Sequence, residues 1–215
     1  MEDTQTRIDM ERLGESLGEL PEPTINPAFI VVSGLPGSGK SYLCRRLAER
    51  LLSLSPRPIA SSSPSANPNS PTFPILESDA MRQSLFPTPN YSRGESDRLF
   101  QACYMLIEEL LGKGIPLILD STNLIERHRE HLYHIAESEG ARLILVRVEA
   151  PPELVRQRLK DRLLSLDPDD KSEADWSVYR RMSAASQRIR RNHFAVDTSR
   201  DITPVIDKIV REVNR

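Results

Sequence analysis

Short apolar runs alternate along the chain with longer segments in which apolar residues recur every three or four positions. The apolar runs lie at 28–33, 73–78, 115–119, 142–148 and 193–196. Such runs are typical of strands in a parallel sheet that is covered on both faces, and the longer periodic segments are typical of amphipathic helices. The alternation of the two predicts an α/β sandwich with a mainly parallel sheet.

The periodic segments are bounded by residues that favour helix ends. The first predicted helix starts within 39–41 and runs to about 54, and the others cover about 79–85, 94–111, 124–138, 151–164, 173–190 and 204–213. Ser92 and Glu95 form a capping-box pair at the start of one helix, and Asn123 with Glu126 forms another. Because ligands of parallel sheets bind at the carboxyl ends of the strands, polar residues at those ends are the candidates for a site.

Two segments depart from this pattern. Residues 1–27 carry a short helical pattern followed by three prolines, and they are predicted to be a loosely attached extension with a helix lying on the domain. Residues 53–72 are rich in serine and proline and have little apolar surface to bury, so they are predicted to be a disordered insertion. The chain length suits one core, and residues 28–215 are therefore predicted to form a single domain.

Charge and composition narrow the class of protein. The net charge of −2 gives no overall field that would attract nucleic acid or an anionic membrane. No apolar stretch approaches the ~20 residues of a membrane span, and charges occupy the N-terminus where a signal peptide needs an apolar core. Cys44 and Cys103 lie in apolar helical patterns, which favours reduced packing residues over a disulfide. A cytoplasmic protein without a membrane partner is expected.

The segment GLPGSGKS, residues 34–41, follows the first predicted strand and opens the first predicted helix. It matches the P-loop pattern in full, and the motif requires this context. Its glycines let backbone N–H groups converge on phosphate oxygens at the positive end of the helix. Lys40 supplies a positive charge to the β- and γ-phosphates, and the Ser41 hydroxyl is a predicted Mg²⁺ ligand. The predicted nucleotide-binding residues are Gly34, Gly37, Ser38, Gly39, Lys40, Ser41 and Tyr42.

The end of the strand at 115–119 separates classes of nucleotide-binding protein. Asp120 is predicted to hold Mg²⁺ together with Ser41. Ser121 follows it where a motor protein would have a second acidic residue to activate water, and no Asn-Lys-x-Asp guanine clamp of a GTPase occurs in the chain. The pattern therefore favours phosphate transfer to an acceptor other than water. Thr122 and Asn123 are candidates for substrate contact, and the cap formed with Glu126 explains Asn123 equally well.

The stretch ESDAMRQS, residues 77–84, follows the second predicted strand. If that strand lies close to the first, Asp79 emerges beside the P-loop, and Arg82 faces the same way one helical turn later. A carboxylate at that position can accept the proton of an acceptor hydroxyl. The alternative is that Asp79 only caps the short helix, and the two roles can coexist.

Basic residues dominate the segment 156–190, which is the predicted lid region. Arg158 and Arg162 lie four apart on one helix face, the spacing of a lid that clamps a transferring phosphoryl group; a solvated basic face is the alternative. The basic run 180–191 has few aromatic neighbours, so a solvated face is favoured over an extended nucleic-acid surface. His128, His131 and His134 rotate away from one another along their helix, which disfavours a metal site.

Five stretches in this order and spacing resemble a known family: GLPGSGKS, ESDAMRQSLF, LDSTNL, APPELVRQRLKDR and VDTS. The family is that of P-loop kinases often labelled an AAA-type ATP-binding domain. It includes the kinase domain of phage-type polynucleotide 5′-kinase and is related to zeta-toxin and gluconate-kinase-like enzymes. The resemblance covers about Phe29 to Val213 and leaves out the Ser/Pro insertion.

The resemblance implies a three-layer P-loop NTPase fold: a five-stranded, mainly parallel sheet with helices on both faces and a small helical lid. It also implies ATP and Mg²⁺ as cofactors and a hydroxyl as acceptor, with Asp79 as general base and Arg82 as a contact to the acceptor. The stretch at 196–199 falls where the family packs a loop against adenine. The predicted catalytic residues are Lys40, Asp79, Arg82, Arg158 and Arg162.

Two functions from different classes follow. The first is an ATP-dependent kinase that transfers the γ-phosphoryl group to a hydroxyl of a small molecule or of a nucleic-acid 5′ end. The second is an ATP-binding regulatory module with slow hydrolysis that acts through a partner. The pair Asp79 and Arg82 favours the first, because a regulatory module has no need of a base beside the γ-phosphate.

Overall fold

Five strands form one sheet in which every pairing is parallel. The computed structural model describes residues 2–54, 73–164 and 174–215. The strands are β1 Ala28–Gly34, β2 Ile75–Glu77, β3 Leu117–Asp120, β4 Arg142–Glu149 and β5 Phe194–Asp197. They lie side by side in the order β2-β3-β1-β4-β5. The structure confirms the predicted α/β fold with a five-stranded parallel sheet.

Helices cover both faces of this sheet. They are α1 Glu2–Glu15, α2 Lys40–Leu54, α3 Ser78–Leu85, α4 Arg93–Gly112, α5 Glu126–Ser138, α6 Pro152–Leu164, α7 Trp176–Ala185 and α8 Thr203–Val213. Buried residues of α1, α3, α4 and α5 form a core on one face, and those of α2 and α8 form a second core on the other. A third, smaller cluster joins α6 to α7 through Val155, Leu159 and Tyr179.

The central strand β1 shows why the sheet strands are apolar throughout. Phe29 and Val31 point into the first core, whereas Ile30 and Val32 point into the second. All four side chains are fully buried, and each contributes about 1.5–3 kcal/mol by leaving water. Covering both faces removes the polar alternation that a half-exposed strand would show.

The N-terminal helix α1 is packed into the protein, which corrects the expectation of a loosely attached extension. Leu13 is fully buried and belongs to the same core as Leu106 of α4. Asp9 is 2% exposed and accepts hydrogen bonds from the Arg98 guanidinium, one of them at 2.8 Å. The helix does lie on the domain, as predicted, but a buried ion pair and core side chains attach it.

Several element boundaries differ from the prediction. Helix α2 continues to Leu54, so the first two residues of the predicted insertion are helical, and 55–72 lie outside the described residues. The predicted basic helix 173–190 is shorter, because α7 ends at Ala185. Asn123 does not cap α5: the residue before that helix is Ile125, which makes no side-chain cap bond, and Asn123 adopts φ 43° in the loop instead.

The strand order also shows how the second strand reaches the site. β2 does not lie beside β1, because β3 lies between them and pairs with both. Pairing β2 with β3 places Glu77 directly opposite Asp120. The two acidic strand ends therefore emerge next to each other at the edge that also carries the P-loop.

Candidate active site

A cavity of about 940 Å³ opens at the carboxyl ends of the strands. All five predicted catalytic residues line it, together with Ser41 and Asp120. The strand order spreads its walls across the sheet: Thr198 follows β5 at one edge, the P-loop follows β1 in the middle, and Asp79 follows β2 at the other edge. The tertiary structure thus brings the separate motifs into one site.

The P-loop has the backbone that the glycine pattern predicts. Gly37 and Gly39 have φ values of 75° and 92°, in the left-handed region. A Cβ atom at Gly37 would lie 2.9 Å from the Val155 side chain, and one at Gly39 would lie 3.0 Å from Thr198. A larger residue at either position would therefore be strained and crowded. Lys40 begins α2 immediately after the loop, and its Nζ donates to the Leu35 carbonyl at 3.3 Å.

Two further predicted nucleotide contacts, Ser38 and Tyr42, differ in exposure. Ser38 is buried, and its carbonyl oxygen accepts a hydrogen bond from Thr198 Oγ1 at 2.7 Å. The Tyr42 side chain is 53% exposed and lines the cavity. Ser38 therefore holds the loop to the segment after β5, while Tyr42 is open to contact with a ligand.

Ser41 lies between two carboxylates. Its hydroxyl donates to Asp120 Oδ2 at 2.6 Å and approaches Glu77 Oε1 at 3.4 Å. Sequence reasoning predicted the first partner and missed the second. The position of Glu77 before Asp79 was visible in the sequence, but its proximity to Asp120 depends on the pairing of β2 with β3.

Burial and like charge raise the pKa values of both carboxyl groups. Burial is the largest cause for Glu77, and the charges of Asp120 and Asp79 add to it. Burial also raises the pKa of Asp120, although the Lys40 ammonium and the Ser41 hydroxyl oppose the rise. Since the folded protein holds these protons more tightly than the unfolded chain, ionising the two groups lowers stability as pH rises above their ordinary values.

Arg82, in the cavity wall formed by α3 and α4, is bonded to other protein groups. It is 7% exposed, forms a short ion pair with Glu95 and donates to Ser96 Oγ at 3.2 Å. Glu95 also accepts from the backbone N–H of Asn90 at 2.8 Å. Burial alone would raise the pKa of Glu95, but this N–H and the guanidinium hold it below its ordinary value.

The capping-box prediction at α4 is confirmed in one half. Ser92 Oγ accepts from the Glu95 backbone N–H at 3.3 Å, as predicted. The Glu95 side chain instead bonds Arg82 and the N–H groups of Asn90 and Tyr91, so Ser92 N donates to the Asn90 side chain. The Glu95 carboxylate, which would accept from Ser92 N in a capping box, is bonded to Arg82 instead.

The two predicted lid arginines take different positions. Arg158 donates to Thr198 Oγ1 at 2.8 Å, to the Thr198 carbonyl at 3.1 Å and to the Gly37 carbonyl at 3.3 Å. Arg162, one turn further along α6, lines the same cavity. Arg158 therefore ties the P-loop to the segment after β5, at the side where the resemblance places adenine.

Further side chains of the cavity wall were missed. Arg45 on α2 and Arg181 on α7 line it and are exposed. Tyr91 and Phe100 line the wall near Arg82. Tyr91 has φ 55°, a backbone that costs a bulky residue about 1–2 kcal/mol, and its ring centroid lies 4.9 Å from the Arg82 guanidinium carbon. No sequence signal distinguishes these residues from other surface residues.

A metal cluster, a disulfide and a membrane span were all disfavoured by the sequence. The residues that the structure describes contain no group of three or more His, Cys, Asp or Glu side chains arranged to hold a metal ion. Cys44 and Cys103 are free and buried. Among the helices described, none is both long enough and apolar enough to cross a membrane.

The site fits a nucleotide phosphate group and Mg²⁺. The glycine backbone leaves a cradle at the N-terminus of α2 that a Cβ atom would obstruct. Ser41 and Asp120 offer hard oxygen donors of the kind Mg²⁺ prefers. Burial is the largest cause of the raised pKa of Glu77, and the like charges of Asp120 and Asp79 add to it; a divalent cation would offset that repulsion.

Fold and site together define a P-loop nucleotide-binding domain with a kinase-like architecture. A family model described as an AAA domain matches residues 29–189, and the chain belongs to this family. A comparison with curated proteins found no significant match.

Solved structures of kinases and of Kti12 share this fold. Kti12 from Chaetomium thermophilum, in complex with ADP-AlF3, is 23% identical with a TM-score of 0.64, over 86% of this chain and 98% of that one. The APS kinase CysC of Mycobacterium tuberculosis, in complex with AMPPNP and APS, is 15% identical with a TM-score of 0.61, over 88% and 99%. A gluconokinase from Sinorhizobium meliloti 1021 is 19% identical with a TM-score of 0.55, over 88% and 93%. At these identities the likeness shows the fold alone.

Proposed function

We propose that the protein is an ATP-dependent kinase that transfers the γ-phosphoryl group to a hydroxyl of a small molecule or of a nucleic-acid 5′ end. The observation that carries this proposal is the position of Asp79. It lines the same cavity as Lys40 and Ser41 but follows the outer strand β2, so it lies on the side opposite Thr198. A carboxylate at that place suits an acceptor hydroxyl that approaches the far end of the phosphate chain.

In this mechanism the chain's own residues position the reactants and move one proton. Asp79 accepts the proton of the acceptor hydroxyl. The oxygen of that hydroxyl bonds to the γ-phosphorus, and the bond from the γ-phosphorus to the ADP leaving group breaks. Lys40 and Arg162 neutralise the charge on the transferring group. Ser41 and Asp120 hold Mg²⁺, with Glu77 as a further carboxylate near it, and the ion offsets phosphate charge when bound. Ser121 provides no base for water, which limits hydrolysis.

The acceptor side of the cavity constrains what can bind. Tyr91 and Phe100 supply two aromatic rings, and Ser96 supplies a hydroxyl. Glu95 compensates the charge of Arg82, so this wall is less cationic than its sequence suggests. Acceptors with a planar or apolar face beside the reactive hydroxyl fit it best.

A cytoplasmic location stays a prediction.

The test is transfer from labelled ATP to a panel of 5′-hydroxyl oligonucleotides, nucleosides, sugars and hydroxylated antibiotics. Once an acceptor is found, Asp79→Asn should lower transfer by about 10²- to 10⁴-fold and leave ATP binding nearly intact, because it removes only the base. Asp97→Asn is the matched control, since the Asp97 side chain is exposed on the surface of α4 and forms an ion pair with Arg93 there. Equal loss of transfer and binding, or unchanged transfer, removes Asp79 from the mechanism.

The second candidate is the regulatory module, and one observation favours it. Glu95 compensates the charge of Arg82, and the Gly37 carbonyl occupies a donor of Arg158, so the two arginines have less charge and fewer free donors, respectively, to offer a transferring phosphate. This function predicts no phosphorylated product from the acceptor panel and a pull-down of a partner that changes with ATP. A phosphorylated acceptor excludes it as the main activity.

A further inference from the structure

Arg129 on α5 is an arginine buried outside the cavity. It is 1% exposed and stands among the largest fully buried side chains. Glu126, one turn earlier, accepts from its Nε at 2.9 Å and forms an ion pair with its Nη2. Arginine is almost never buried to this extent without such pairing. The ion pair leaves further donors of the guanidinium for other partners.

Those donors bridge two segments that are far apart in the chain. Nη1 donates to the Asn123 carbonyl at 2.6 Å, and Nη2 donates to the carbonyls of Gln187 and Arg188 at 3.0 and 3.1 Å. Two more bonds join the same segments: Gln187 N to the Leu124 carbonyl and Glu126 N to the Gln187 side chain, both 2.8 Å. We name this group of contacts the Arg129 latch.

One side of the latch is the loop that carries the predicted metal ligand. Asp120 accepts from Ser41, and Ser121 N donates to the Val32 carbonyl at 3.3 Å. The Thr122 carbonyl accepts from Gly34 N at 3.2 Å. Asn123 ends this loop in the left-handed region, at φ 43°. The loop 120–123 is therefore bonded to the P-loop at one end and to Arg129 at the other.

The other side of the latch is the root of the lid. Helix α7 ends at Ala185, two residues before Gln187. On the same helix, Val178, Arg181 and Met182 line the active-site cavity. A change in the position of α7 over the nucleotide therefore acts on the segment that Arg129 holds.

We propose that Arg129 is a positioning residue that couples the root of α7 to the loop of Asp120. Ordering of the loop 120–123 and closure of α7 over the phosphates would then occur together. The inference rests on the proposed function only in treating α7 as part of a lid. A merely structural arginine would stabilise the fold without linking nucleotide binding to α7.

The experiment compares Arg129→Lys with Leu132→Ala, a substitution on the same helix that removes a fully buried core side chain without touching the latch. The single tryptophan, Trp176, lies at the start of α7, so its fluorescence is used to follow nucleotide binding. Affinities for Mg·ADP and for Mg·ADP with aluminium fluoride are measured for each protein. Coupling between two elements usually amounts to about 5- to 150-fold in affinity. The ratio of the affinity with aluminium fluoride to the affinity without it measures the preference for the transition-state analogue. Arg129→Lys should lower this ratio by about 5- to 150-fold. Leu132→Ala should leave it unchanged.

Hydrogen exchange with Mg·ADP bound decides the case without any transfer chemistry. In the wild type, nucleotide should slow exchange both in 120–124 and in α7. Arg129→Lys should retain the protection of 120–124 and lose that of α7, and Gln187→Ala, which removes only one bond of the latch, should do so to a smaller extent. Protection of both segments in Arg129→Lys, or of neither in the wild type, overturns the latch. A wild type that shows no preference for aluminium fluoride counts against the kinase, while exchange still judges the latch.

Discussion

The ion pair between Arg82 and Glu95 allows a direct test of what holds this wall of the cavity together. The side chains of the two residues are 9% and 4% exposed, and they join α3 to the start of α4. Replacing Glu95 with alanine leaves the guanidinium buried without its counter-charge. It also removes the acceptor for the Asn90 N–H, although that residue is exposed and water can replace the bond.

The magnitude follows from the burial of the pair. Removing one partner of a buried ion pair costs about 3–5 kcal/mol, because the remaining charge stays desolvated. For a protein of this size each kcal/mol lowers Tm by about 2–4 °C, so Glu95→Ala should lower Tm by about 6–20 °C. Arg82→Met should be destabilising for the same reason. The double variant Arg82→Met/Glu95→Leu should lose less than the sum, because no unpaired charge remains.

The assay measures the free energy of unfolding by urea titration at 25 °C, with circular dichroism as the signal. Glu109→Ala is the control, since Glu109 pairs with Lys113 on the surface and such pairs contribute about 0–1 kcal/mol. The pair also predicts a pH dependence: because the pKa of Glu95 is lowered in the folded protein, its contribution is present above the ordinary value of 4.5 and is lost as pH falls. A loss below about 1 kcal/mol for Glu95→Ala, or an additive double variant, would refute the argument and leave Arg82 available to the acceptor.

Two further predictions concern the other parts of the structure. Glu77→Gln should be more stable than the wild type at pH 8 without Mg²⁺ and equal to it at pH 4, because the raised pKa of Glu77 makes its ionised form unfavourable only above the ordinary value of 4.5. Added Mg²⁺ should narrow the difference at pH 8, and urea unfolding at the two pH values measures it. Leu13→Ala should cost about 2–5 kcal/mol in the same assay, because it empties a fully buried position between α1 and α4.

Each of these predictions has an outcome that contradicts it. If Glu77→Gln lowers stability at pH 8, the carboxylate is stabilised in the fold and its proximity to Asp120 has been misjudged. If Leu13→Ala changes stability by no more than the exposed control Ile8→Ala, helix α1 is loosely attached, as the sequence had suggested.

Local chemistry made the P-loop predictable. The P-loop is a short continuous segment that contains the glycines, Lys40 and Ser41. Its residue spacing therefore already specifies the left-handed conformation of Gly37 and Gly39. Apolar runs predicted the strands for a similar reason, because burial on both faces leaves no polar alternation. The lid could be predicted in composition, but the contact of Arg158 with the P-loop and Thr198 could not.

The failures share another cause: they depend on residues distant in sequence. Asn123 looked like a helix cap, but its carbonyl is held by Arg129 and its backbone turns left-handed. Glu95 looked like half of a capping box, but its carboxylate forms an ion pair with a buried arginine from α3. A helix cap contributes about 1 kcal/mol. Leaving a buried charge unpaired costs about 3–5 kcal/mol, so pairing the charge takes precedence over capping the helix.

The amino-acid sequence by itself determined the nucleotide-binding loop, the alternation of strands and helices, and the residue types that a phosphate site needs. Only the tertiary structure decided the strand order that places Glu77 opposite Asp120, the packing of α1 in the core, and the Arg129 latch between residues 123 and 187. The physical reason is that short-range features depend on backbone conformation and periodicity. Pairing of strands and of buried charges is settled by the balance of desolvation and contact over the whole fold.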